Sequence, residues 1–229
     1  MTITEEMNPN KTARIAGGLY LLLFPLGIFG LVYVPAALIV PGDAAATVGN
    51  IMANESLFRL SIVSALLLQL VNIFVVLFLY RLLKPVNKSV ALLMVIFLLL
   101  AVPIAMLSEI NQAAVLLLLN DADPSLSLAI LFLDLHEVGI QIAGIFWGLW
   151  LFPMGYLVFK SNYIPQIIGV LLMIGCVGYL IDSFASFLFP DLSLTVSQFT
   201  FIGELILPLW LLIKGVNVEQ WEKRTLKFA

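Results

Sequence analysis

The sequence predicts an all-α fold, a polytopic membrane bundle of six transmembrane helices, and three observations support that prediction. Of the 229 residues, 62% are hydrophobic and only 11% are charged, whereas a soluble domain carries about 25% charged residues. The apolar residues form six runs, each long enough for the roughly 20 helical residues that cross a bilayer. The basic residues fall in alternate connections between these runs, which is typical of a membrane protein with several spans.

The six predicted spans are separated by mostly short connections. They cover residues 13–38, 57–83, 89–119, 127–160, 164–189 and 195–214. The first run is far longer than the about 7–15 residues of a signal-peptide core, so it is interpreted as a membrane helix. The connection after it has room for a short surface helix. No linker divides the chain, so we expect one integral membrane domain over residues 1–229, with 215–229 as a cytoplasmic surface tail.

The distribution of charge predicts the orientation. Ten of the eleven lysines and arginines fall on one side of the predicted topology: Lys11, Arg14, Arg81, Lys84, Lys88, Lys160, Lys214, Lys223, Arg224 and Lys227. The other side carries the acids Asp43, Glu55, Asp121, Asp123 and Asp191, and a single base, Arg59. The positive-inside rule then places both termini in the cytoplasm and the protein in the inner membrane. The tail is expected on the inner surface, with Trp221 at the level of the lipid headgroups.

The strongly polar side chains of the spans are predicted to lie between the midplane and the outer surface. Glu204, for example, precedes Lys214 by ten residues, which is about 15 Å of helix. A charge in hydrocarbon costs about 3 kcal/mol or more, so such groups should face other helices, and pair or hold a proton. We interpret them as the wall of an outward-facing cavity: Arg59, Glu109, Asp134, Glu137 and Asp182 at its mouth, Gln69, Asn72 and Glu204 at its floor, and Gln112 and Gln141 beside them. Structural hydrogen bonds between helices, with no ligand, are the alternative.

The fourth span contains the only histidine of the chain, in the sequence DLHE. At helical spacing, Asp134 and Glu137 share a stripe with Gln141, Gly144 and Gly148, and this stripe is predicted to face the bundle. His136 lies about 200° around the helix from Asp134. We therefore expect His136 to point away from the carboxylates, as a satisfied interfacial histidine rather than a metal ligand.

Known catalytic motifs are absent from the sequence. It has no HExxH, GxSxG, GxxxxGK[ST] or CxxC pattern, so neither a metal nor a cofactor is predicted. The lone cysteine, Cys176, cannot form an internal disulfide and is expected to be buried. The net charge of −3 does not indicate a nucleic-acid partner.

Three stretches resemble a known family: ARIAGGLYLLLFPLGIFG (13–30), LWLFPMGYLVFKSNYIPQIIGVLLMIGCVGYLID (149–182) and GELILPLWLLIKG (203–215). They are similar to bacterial and archaeal multi-pass membrane proteins grouped as domain of unknown function 4386. The resemblance spans nearly the whole chain and implies an integral membrane protein of six helices. It supplies no activity and no functional residue.

The sequence therefore favours a membrane protein whose outward-facing polar cavity binds or transports a small polar molecule, a cation or a lipid headgroup. Two alternatives stay open: an enzyme that acts on a lipid or isoprenoid at the outer leaflet through paired carboxylates, and an accessory or structural subunit. A homo-oligomer and an inverted repeat of the two halves are also open at this point.

Overall fold

The fold is a set of long helices, seen in a computed structural model that describes residues 8–120, 125–189 and 195–228. Asp121, Asp123 and Asp191, which were assigned to the acidic side, lie outside these residues. The described helices are α1 (Pro9–Gly27), a π-helical segment (Ile28–Tyr33), α2 (Val34–Leu38), α3 (Ala44–Ala53), α4 (Glu55–Leu83), α5 (Lys88–Leu118), α6 (Leu126–Leu149), α7 (Leu151–Ser161), α8 (Gln166–Leu188), α9 (Ser197–Thr200), α10 (Ile202–Ile213) and α11 (Val218–Phe228).

Five helices of the described residues are long and apolar enough to cross a membrane: Pro9–Leu38, Glu55–Leu83, Lys88–Leu118, Leu126–Ser161 and Gln166–Leu188. A sixth span is added if Ser197–Ile213 and Val218–Leu226, which meet at a bend of 98°, are counted as one broken span. Large apolar side chains stay exposed along these helices, as Leu107, Ile110 and Leu117 do on α5. Such surfaces are rare on soluble monomers and suit lipid. The all-α membrane bundle predicted from the sequence is confirmed.

Prolines interrupt two of the spans. In the first span, Pro35 has no N–H to donate to the carbonyl of Leu31, and the turn before it widens into the π-helical segment. There the N–H of Val34 bonds the carbonyl of Phe29, five residues back. In the fourth span, Pro153 cannot bond the carbonyl of Leu149, and α6 ends at that residue. The first and fourth predicted spans are therefore each divided into shorter helical segments in the structure.

The short surface helix expected after the first span corresponds to α3, one face of which is exposed at Ala45, Gly49 and Met52. Asp43 caps it by accepting a hydrogen bond from the N–H of Ala46 at 2.9 Å. Thr47, Val48 and Ile51 turn inward and are buried. Val48 and Ile51 join an apolar cluster with residues of α2, α4, α5 and α6: Val34, Leu38, Phe58, Val115, Leu116, Ala129 and Leu133.

The described chain forms two compact units. The first unit contains the described residues of 1–21, 72–101 and 144–229, and the second contains 22–71 and 102–143 apart from the undescribed 121–124. Helix packing in the first unit depends on glycine. A Cβ at Gly155 on α7 would lie 2.5 Å from the carbonyl oxygen of Gly169 on α8. The two backbones can approach this closely only because neither residue carries a side chain.

The C-terminal tail is attached to the first unit by hydrogen bonds. The indole N–H of Trp221 donates to the carbonyl of Leu82 at 3.0 Å, and Arg224 donates to the carbonyl of Lys160 at 2.7 Å. Tyr163 donates to the same Leu82 carbonyl through its hydroxyl, and burial raises the pKa of that phenol. Trp221 is buried against the protein, and its expected level at the lipid headgroups stays a prediction.

Candidate functional site

The second unit contains a partly open cavity of about 620 Å³. Its walls come from the end of the first span, the connection to α3, α3 itself and parts of α4, α5 and α6. The lining residues are Leu31, Val34, Pro35, Ala36, Leu38, Ile39, Val40, Pro41, Gly42, Asp43, Ala44, Thr47, Phe58, Ser61, Gln112, Ile130, Leu133, Asp134, His136, Glu137 and Ile140. The π-helical segment and Pro35 shape one side of it, since they set the direction in which the first span ends.

The lining is mostly apolar and its formal charges are of one sign. Asp43, Asp134 and Glu137 are the acids, and no lysine or arginine is among the described lining residues. Asp134 and Glu137 are exposed on α6. Glu137 also accepts a hydrogen bond from the side-chain amide of Gln141 at 3.4 Å. The cavity therefore combines an apolar chamber with a negatively charged border.

A buried polar cluster lies beside the chamber. Glu109 and Gln112 are one helical turn apart on α5 and contact His136 on α6. Glu109 Oε1 lies 3.0 Å from His136 Nε2, and Gln112 Nε2 lies 3.0 Å from the same ring nitrogen. Glu109 is 4% exposed, Gln112 3% and His136 9%. Two buried atoms of this cluster, Glu109 Oε2 and Gln112 Oε1, have no hydrogen-bond partner among the described residues.

The prediction that Asp134 and Glu137 face the bundle is wrong. His136 does lie on a different face from these two carboxylates, as expected, but its face is the buried one. Ala129, Leu133, His136 and Ala143 are the buried residues of this part of α6, at helical spacing, while Asp134 and Glu137 are exposed. The reason is the approach of α6 to α5 at Gly139, where an added Cβ would meet the side chain of Ser108. A glycine on α6 brings the two helices together, and His136, one turn earlier, comes to face Glu109.

The later part of the predicted stripe, Gly144 and Gly148, does face a neighbouring helix. A Cβ at Gly144 would lie 2.9 Å from Ser183 Oγ, and one at Gly148 would lie 2.7 Å from Tyr179 Cβ. Both glycines thus pack against α8, as small residues in contact with a neighbouring helix do. The stripe changes from an exposed acidic face to a packed glycine face along one helix.

Four further candidates belong to the second unit but are not among the described lining residues. Arg59 pairs with Glu55, one turn before it on α4, at 2.6 Å, and both side chains are about half exposed. Glu109 contacts His136, which lines the chamber, and Gln141 donates a hydrogen bond to Glu137. Gln69 is buried and has a polar interaction of its own.

The remaining candidates, Asn72, Asp182 and Glu204, belong to the first unit. Asn72 is buried and also has an interaction partner. Asp182 holds the start of the next helix: its two carboxylate oxygens accept the N–H groups of Val196 at 2.6 Å and Ser197 at 2.8 Å. Its role in the structure is that of a cap.

Glu204 lies between two tyrosines that the sequence analysis did not select. The hydroxyl of Tyr20 donates to Glu204 Oε2 at 3.2 Å, and Tyr179 forms a second side-chain hydrogen bond. Phenolic hydroxyls satisfy a carboxyl without a counter-charge. Tyrosines inside apolar spans were the available signal, but only the structure shows which of them reach the acid.

The remaining site predictions concern metals and cysteine. Among the described residues, no group of three or more His, Cys, Asp or Glu side chains is placed to hold a metal ion. Cys176 is free and buried, as expected.

These features define a class of protein: a multi-pass membrane protein with an all-α bundle and polar groups clustered within it. The chain belongs to the family described as Domain of unknown function (DUF4386), whose model matches residues 15–215. A protein of Archaeoglobus fulgidus, described as an uncharacterized protein, is 31% identical over 160 residues, which cover 70% of this chain and 86% of the relative. No solved structure matches the chain.

Proposed function

We propose that the protein binds an amphipathic cation, such as a protonated amine attached to an apolar group, in the cavity of the second unit. The observation that carries the proposal is the sign of the charges around an apolar chamber. Asp43, Asp134 and Glu137 line it, and the described lining residues include no lysine or arginine. Acidic groups attract a cation and repel an anion, so they select by charge.

The size and the walls of the chamber support an organic ligand. Its volume of about 620 Å³ lies within the roughly 300–1,000 Å³ of small-molecule sites, which are largely apolar with a few polar groups. Phe58, Leu133 and Ile140 supply apolar wall. A bare metal ion would gain nothing from such a surface, whereas the apolar part of an amine leaves water when it binds.

The predicted topology suggests where the ligand enters. The chamber is built where the first span ends, the second begins, the third ends and the fourth begins. In a chain of alternating spans, these positions lie at the same end. With the N-terminus in the cytoplasm, as the basic residues predict, that end faces outward, and a cation enters from the outer side.

One of the carboxylates considered for the enzyme alternative is already engaged in the structure. The enzyme alternative needs carboxylates that can act as acid and base beside a substrate. Asp182 does not offer one, because both of its oxygens bind backbone N–H groups. We therefore retain the binding proposal.

The test is calorimetric titration of the protein in lipid nanodiscs with three matched probes: benzylammonium, benzyl alcohol and benzoate. They share one ring and differ in charge. We expect benzylammonium to bind at least about tenfold more tightly than benzyl alcohol, and benzoate not to bind, since a difference of about 1.4 kcal/mol is tenfold. Empty nanodiscs correct for partition into lipid.

Variants locate the binding. Exposed carboxylates contribute up to about 1 kcal/mol each to a charge pair, so Asp134→Asn with Glu137→Gln should weaken benzylammonium about tenfold. Glu222→Gln, the same change at an exposed glutamate of α11, is the control for Glu137→Gln and should change nothing. Equal binding of the charged and uncharged probes, or full affinity in the double variant, would refute the proposal.

A further inference from the structure

We infer that cation binding in this cavity releases a proton from the buried pair of Glu109 and His136, so that the protein exchanges one positive charge for another. The inference rests on the proposed function and adds to it a coupling to pH. The geometry that carries it is a histidine that lines the chamber and contacts a buried carboxyl at 3.0 Å.

Glu109 is buried, and a charge on it would need a positive partner. Its carboxyl group is 4% exposed and has one oxygen without a hydrogen-bond partner among the described residues, and a buried charge is costly unless it is paired. The described contacts of its side chain include no lysine or arginine. A proton shared between Glu109 and His136 supplies the missing positive charge and leaves the pair neutral.

A cation in the cavity would lie close to the Glu109–His136 pair. His136 belongs to the wall of the chamber, together with Gln112, so a cation in the chamber lies on the other side of the imidazole from Glu109. A positive charge there and a proton on the pair repel each other in a medium of low dielectric constant. The cation can compensate Glu109 in place of the proton, which leaves from nitrogen or oxygen to water. No other bond is made or broken.

The other named side chains around His136 are acidic or neutral, so none of them adds a second positive charge. From α5 it meets Glu109 and the neutral amide of Gln112. Its own helix α6 adds Asp134 and Glu137 to the lining, and the connection before α3 adds Asp43. The lining residues of α2, α3 and α4 are uncharged within the described chain. Histidine is the side chain among these whose charge changes near neutral pH.

Calorimetry in two buffers of different ionisation enthalpy measures the exchange directly. Benzylammonium is titrated into the wild-type protein in nanodiscs at about pH 6.5, once in phosphate and once in a zwitterionic buffer of larger ionisation enthalpy, so that neither buffer is itself an organic cation. We expect proton release on binding and an affinity that rises with pH, by up to about tenfold per pH unit for one released proton, because a released proton favours binding at higher pH.

Two variants separate the pair from the acidic border. His136→Gln keeps a polar side chain beside Glu109 but cannot take up the proton, and Glu109→Gln removes the charge that the proton compensates. Glu109→Gln should bring proton release and pH dependence close to zero, whereas in His136→Gln any proton that is released comes from Glu109 alone. Asp134→Asn is the comparison: it weakens binding but should leave proton release intact, since its carboxylate is exposed.

Each outcome decides one of the two claims. Binding with no proton release in the wild-type protein overturns this inference and leaves the proposed function standing. Proton release that persists in both His136→Gln and Glu109→Gln also overturns it, by assigning the proton elsewhere. Absence of any benzylammonium binding overturns both. If the variants do not fold, binding without proton release in the wild-type protein still overturns the inference.

Discussion

Replacement of Asp182 tests whether this intramembrane acid is structural. Its two oxygens accept the N–H groups of Val196 and Ser197 at 2.6 and 2.8 Å. A hydrogen bond to a charged group contributes about 1.5–3 kcal/mol. Because the site is only part-buried and the two bonds share one carboxylate, Asp182→Ala should lower the free energy of unfolding by about 2–4 kcal/mol. Asp182→Asn keeps one acceptor oxygen and should lose about half as much.

The assay is unfolding of the purified variants in mixed micelles by increasing sodium dodecyl sulfate, followed by circular dichroism. Asp134→Ala is the control, because that acid is exposed on α6 and its loss should change the free energy of unfolding by less than about 0.5 kcal/mol. The reasoning is refuted if Asp182→Ala is as stable as the wild type, or if the alanine and asparagine variants lose the same amount. Benzylammonium affinity of the folded Asp182→Ala protein should equal that of the wild type.

Two other predictions concern packing and titration. Gly155→Ala places a Cβ 2.5 Å from a backbone carbonyl of α8 and should lower the unfolding free energy by about 1–3 kcal/mol. Gly49→Ala, on α3 with nothing within 4 Å, should be neutral or stabilising by up to about 1 kcal/mol; the same detergent unfolding measures both, and equal effects would contradict the packing argument. Glu219 should titrate below the usual range of glutamate, because its hydrogen bond to a lysine one turn on lowers its pKa. The pair then stabilises α11 above the unfolded-state pKa and is lost as pH falls through the folded one; carboxyl NMR should show the depression vanish in 1 M salt, and persistence there would contradict a surface pair.

The helices could be predicted closely because their cause is local. Runs of apolar residues have no stable state in a bilayer other than a helix, so the predicted 57–83 and 164–189 correspond to Glu55–Leu83 and Gln166–Leu188. The π-helical segment and the end of α6 could not be predicted from the apolar runs. A proline marks where a hydrogen bond is missing, but neighbouring helices decide whether the chain bends, widens or breaks there.

The candidate site was predicted in part. Polarity alone selected Asp134, Glu137 and Gln112, which do line the cavity. Polarity did not place His136 on the inward face of α6, because we took the stripe of Asp134 and Glu137 as that face. The inward face is set by how closely two helices approach, and that depends on Gly139 and Ser108. Nor could polarity show that Asp182 caps the helix that begins fifteen residues further on, at Ser197.

The sequence by itself determined the class of protein, the approximate bounds of the spans and the identity of the polar residues within them. These follow from composition and periodicity, which act over one helix at a time. Only the tertiary structure decided which polar groups meet: His136 with Glu109, Glu204 with two tyrosines, and Asp182 with the backbone. The physical reason is that an unpaired polar group in a bilayer is costly wherever it lies. The sequence shows that each polar group needs a partner, and the packing of the helices determines which residue that partner is.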